Sequence, residues 1–225
     1  MKATFLIILS TILFSSITSG QRKLSKEEII DYWKKHKTDK SKDKDVFQVI
    51  GSDTVLYLRT LKLIDSLHYL GIDSVVIYTV AYPGYNGLLD KCRTGSFPIN
   101  SFAIWKSINQ TYSQRIEGKC KSNPEKINST SIFDYYEENF TTITSEFFMP
   151  IISGAELSDS NEVKYSMSFI NHEPIYSIIY KEGKEFKEKE FSESELEDKK
   201  SLFHDHNVNL KSYTWWEIIK RDLKQ

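Results

Sequence analysis

Two histidines one residue apart, His204-Asp205-His206, form the densest cluster of metal-ligand side chains in this 225-residue chain. On an extended segment both imidazoles would leave one face, as two ligands of a zinc-type centre do. A third ligand would have to arrive from His36, His68, His172 or an acid. At the end of a helix the same pair would merely complement the helix dipole. His172-Glu173 precedes Pro174 in a stretch that reads as a hairpin turn. No H-E-x-x-H, G-x-S-x-G, phosphate-loop or EF-hand spacing occurs, and no pattern calls for a cofactor. Ser41-Lys42-Asp43-Lys44 has the S-x-x-K form, but its charged surroundings could not desolvate a catalytic lysine.

The segment best suited to recognition is Pro83 to Pro98, PGYNGLLDKCRTGSFP. Connections of this length are uncommon between packed elements unless they carry function. Tyr82, Tyr85, Asn86 and Arg93 supply rings and polar groups that stack on and hydrogen-bond a polar ligand. A lid folded over the core by Leu88 and Leu89 is the competing role. The two cysteines, Cys92 and Cys120, read as a disulfide if the chain is exported. On the chain-entropy model a closed loop of about 29 residues is worth roughly 3.6 kcal/mol.

These residues need elements to hold them. Ser25 to Glu28 has the capping-box form and opens a helix over 26–36. Lys37 to Asp45 is an almost wholly charged linker. Residues 53–70 place Leu56, Tyr57, Leu61, Leu63, Ile64, Leu67 and Leu70 on one half of a helical wheel, capped by Ser52 or Asp53 and ended by Gly71. A buried strand follows over 72–82, then a hairpin of 102–106 and 111–116 whose base the cysteines would staple. A helix over 131–149 ends at Pro150. Alternation over 163–169, 176–180 and 184–191 predicts a three-strand meander. Helices over 193–203 and 215–223 close the chain, the last opened by a Thr214 to Glu217 capping box with one of Trp215 and Trp216 packed and the other partly open. The fold class is α+β: a mainly antiparallel sheet of about six strands with helices on one face. The division is 1–20 as signal peptide, 21–45 as N-terminal helix and linker, and 46–225 as a single domain.

The first twenty residues set the compartment. Lys2, an apolar run from Ala3 to Phe14, and small residues up to Gly20 make a secretory signal cleaved after Gly20. The apolar run is too short to stay as a spanning helix. Setting Lys2 aside leaves 29 Lys and Arg against 31 Asp and Glu, without the excess of positive charge that nucleic acid demands. The function that fits best is an exported protein, secreted or periplasmic, acting as a non-enzymatic binding module for an unknown protein or polar ligand. The rivals are a secreted hydrolase with metal at His204 and His206, and an inhibitor or immunity-type protein of another secreted protein.

Overall fold

The structure is a computed structural model describing residues 22–40, 47–84, 91–92, 94–95, 98–120, 122–157, 163–167, 173–182 and 184–224. The proposed signal segment and its cleavage point lie outside those residues. Its main element is a six-stranded antiparallel sheet in the order β5-β4-β3-β2-β8-β9. The strands are β2 (Val75–Ala81), β3 (Ile99–Ser107), β4 (Gln110–Ile116), β5 (Glu125–Ile127), β8 (Ile175–Glu182) and β9 (Glu185–Ser192). A second sheet, β1-β6-β7, joins Arg22–Lys23 to Ile152–Leu157 and Val163–Met167.

Every residue of β2 is buried, so both faces of the main sheet must be covered. Val76, Tyr78 and Val80 point to a cluster with Ile132, Phe133 and Ile143 of α4 (Ser131–Ser145) and Trp215, Trp216 and Ile219 of α7 (Lys211–Leu223). Val75 and Ile77 point the other way, to Ile50 of α2 (Gln48–Gly51) and Leu56, Ile64 and Leu67 of α3 (Thr54–Tyr69). Helices therefore cover both faces, where the sequence suggested one. The alternation of a strand assigns its residues to two faces, and here both sets are apolar. No described helix is long and apolar enough to cross a membrane.

The meander is corrected too. β8 and β9 form a hairpin in the main sheet, but β7 pairs with β6, a strand that the sequence reading missed. The N-terminal segment adds β1 to that small sheet, pairing Arg22 with Leu157, and α1 (Lys26–Lys40) buries Ile29 against Met149, Ile152 and Phe203. The Ser25–Glu28 capping box is present, each side chain bonding the other residue's backbone N–H. α1 runs four residues into the tract read as linker, to Lys40.

α4 stops at Ser145, short of Pro150. Beyond it the chain is extended, and Phe148 enters the first core while Met149 enters the third. Asn207, fully buried on α6 (His204–Val208), holds this segment by accepting from Met149 N–H and donating to the Met149 carbonyl, each at 2.8 Å. Glu146, the residue that ends α4, accepts from the N–H groups of Lys211 and Ser212 and from the Ser212 hydroxyl. That carboxylate caps α7, which begins four residues before the expected Trp215. Thr214 lies inside the helix and caps nothing. The second capping box belongs instead to Ser192 and Glu195, at the start of the short α5 (Glu193–Glu197).

Loss of the carboxylate in Glu146→Ala strips three hydrogen bonds from the α7 start. We expect about 1–2 kcal/mol of destabilisation, the usual cost of losing a helix cap, read as a lower urea midpoint with an unchanged slope.

Candidate functional site

The loop proposed for recognition is fastened at its base by several independent ties. The Tyr82 N–H donates to the Pro98 carbonyl at 2.9 Å and draws the loop ends together. Cys92 and Cys120 are bonded, with Cα atoms 4.9 Å apart, and the Lys119 N–H donates to the Cys92 carbonyl at 2.8 Å. The bond lies beyond the ends of β3 and β4, where the sequence placed it.

α3 supplies the other ties. Asp53 is its N-cap, with Oδ1 accepting from the Val55 and Leu56 N–H groups. Oδ2 accepts from the Thr94 hydroxyl at 2.6 Å, so one carboxylate caps the helix and holds the loop. Arg59, outside the apolar half of the wheel, reaches the chain around Cys120. Its guanidinium donates to the carbonyls of Cys120 (2.6 Å), Glu117 (3.0 Å) and Lys119 (3.4 Å). Three convergent carbonyls suit the fixed fork of an arginine, which a lysine could not match. Sequence periodicity cannot register this contact, because the partners are backbone atoms some sixty positions away.

Tyr82 is half-buried and packs against the core that contains Tyr78, Tyr176 and Trp216. Tyr85, Asn86 and Arg93 lie outside the described residues. The tryptophan pair expected to leave one ring partly open is buried on both counts, Trp215 wholly and Trp216 to 4 % exposure. Trp215 Nε1 donates to the Ile132 carbonyl, and the Lys220 ammonium sits 4.0 Å from the centre of a Trp216 ring. The pair belongs to the core and offers no surface.

His204 and His206 sit on a helical turn instead of the extended segment that would align them. At two positions apart on a helix their side chains diverge by about 200°. Among the described residues, the one group of three potential ligands lying together is Cys92, Glu117 and Cys120, and its sulfurs are bonded to each other. His206 packs near the rings of Phe147 and Phe203. Burial pushes its pKa below the usual value, against the opposing pull of the Phe147 backbone and the Glu146 charge. His68 bonds Asp73 at an exposed position, and His172 lies outside the described residues. No family model, curated protein or solved structure matches the chain.

Two outcomes are expected. Replacing both cysteines by serine should remove up to about 3.6 kcal/mol of stability, the loop-closure value for this span, measured by denaturant titration. His206 resists protonation when folded, whereas the unfolded chain takes up a proton near pH 6.5. Its contribution is therefore complete above that pH and is lost as pH falls toward the lower folded value. Urea midpoints should drop more between pH 7 and pH 5 in the parent than in His206→Phe.

Proposed function

We propose that this chain is an exported, non-enzymatic binding module whose recognition element is the stapled loop of residues 82–98. The reading rests on one observation above all: the loop base is held by a disulfide, the Arg59 fork, the Asp53–Thr94 bond and the Tyr82–Pro98 closure. Ties at the base of a loop reduce the conformational freedom it loses on binding, which leaves more of the contact energy as affinity. The loop sequence includes Tyr85, Asn86 and Arg93, a ring, an amide and a guanidinium suited to a polar or peptide surface. Export to the secreted or periplasmic space is supported by the basic, apolar and small-residue order of the first twenty positions. A disulfide is at home in that compartment.

The test is retention. Residues 21–225, immobilised, are exposed to the extracytoplasmic fraction of the source cells, and the retained species is identified by mass. In the Tyr85→Ala, Arg93→Ala double variant, retention should fall by about tenfold, equivalent to 1.4 kcal/mol, at an unchanged thermal midpoint. Equal retention by parent and variant removes the loop from the function.

A further inference from the structure

On the opposite side of the β3–β4 hairpin from the staple, a cleft of about 750 Å³ opens between the β4–β5 edge, the first turns of α4 and the end of α7. Its volume lies within the roughly 300–1,000 Å³ of small-molecule sites. The floor is preorganised. Ser131 Oγ donates to Asp222 at 2.8 Å, accepts from Arg221 at 2.9 Å, and lies 2.6 Å from Ser129 Oγ. Burial pushes the Asp222 pKa up, but hydrogen bonds from Arg221, Ser131 and Ser129 outweigh it and keep the group ionised.

The lining selects by charge. Arg221 is paired with Asp222 and Asp134 with Lys106, which leaves Lys126 balanced by Glu138, so the walls carry no net charge. A phosphate would meet two carboxylates, and a polyamine would meet two cations. What remains is rich in groups that donate and accept. The amides of Asn109 and Asn128 are exposed and bond no described residue. Gln110 spends its N–H groups on the Thr111 and Ile127 carbonyls, which locks its amide plane. The Tyr135 hydroxyl is buried yet has no hydrogen-bond partner among the described residues. That hydroxyl has under 1 Å² of accessible surface, so a ligand in the cleft does not reach it. Ile127 and Ile218 give the same wall an apolar strip.

We propose that this cleft binds an uncharged, polyhydroxylated ligand, the chemistry of a neutral oligosaccharide. The Asn109 and Asn128 amides and the Gln110 amide oxygen make the polar contacts. The proposal is independent of the loop, since neither site shares a residue with the other.

Cellobiose, maltose and diacetylchitobiose serve as probes, with inorganic phosphate and spermidine as charged controls. Saturation-transfer NMR should show at least one saccharide bound at concentrations up to about 10 mM, where weak single-site binding is readable. Asn109→Ala and Asn128→Ala should each weaken it by about tenfold or more, as expected where a site hydrogen-bonds its ligand, with thermal midpoints unmoved. The Tyr85→Ala, Arg93→Ala variant should bind the saccharide as the parent does. Silence from all three sugars, equal binding by Asn128→Ala, or phosphate or spermidine displacing the sugar would overturn the proposal.

Discussion

Burial of β2 on both faces governs the architecture. A seven-residue strand with no exposed position cannot lie at a sheet edge or under a single layer. It needs a hydrogen-bonded neighbour on each side, which β3 and β8 provide, and an apolar layer above and below. α3 with α2 supplies one layer, and α4 with α7 supplies the other. At roughly 25 cal/mol per Å² of apolar surface removed from water, the two-sided strand gains about twice what a one-sided strand would. Polar residues on β2 are tolerated where they find each other, as Thr79 does with Ser101 at 3.1 Å, both fully buried.

Around that strand a few polar side chains join elements that apolar packing alone would leave in loose register. Glu146 ends one helix and caps another, while its carbonyl accepts from the Lys189 ammonium of β9. Asn207 ties the 148–151 segment to α6 and also donates to the Glu195 carbonyl in the middle of α5. Asp53 and Arg59 do the same work for the loop. A buried polar group left unpaired is costly, so each of these contacts penalises alternative arrangements as well as stabilising its own.

The sequence was legible where the pattern was local. Asp53 as a cap, Gly71 past the helix end at φ 75°, and the β3–β4 and β8–β9 hairpins follow from neighbours in the chain, and the Cys92–Cys120 bond from there being two cysteines. Reading failed where distant residues decide. The α7 start is set by Glu146, 65 positions from Lys211, and no local capping signal marks it. β7 alternates like a third meander strand, but alternation does not say which edge a strand joins. Arg59 looked solvent-facing because a helical wheel knows nothing of backbone carbonyls from another loop. Of the candidate site, the staple was visible and its bracing was not. Of the two arrangements open to His204 to His206, the helical one is present, and its neighbour Phe203 lies in the core.

The neighbours of β2 arrive at very different times. β3 follows within some thirty residues, but β8 pairs Tyr180 with Val76, across more than a hundred. Until the last third of the chain is present, the central strand keeps an open edge and an uncovered face. Closing so long a loop is slow, and a half-built sheet with a bare apolar strand invites aggregation. A chain wired in this way commits to its final shape late.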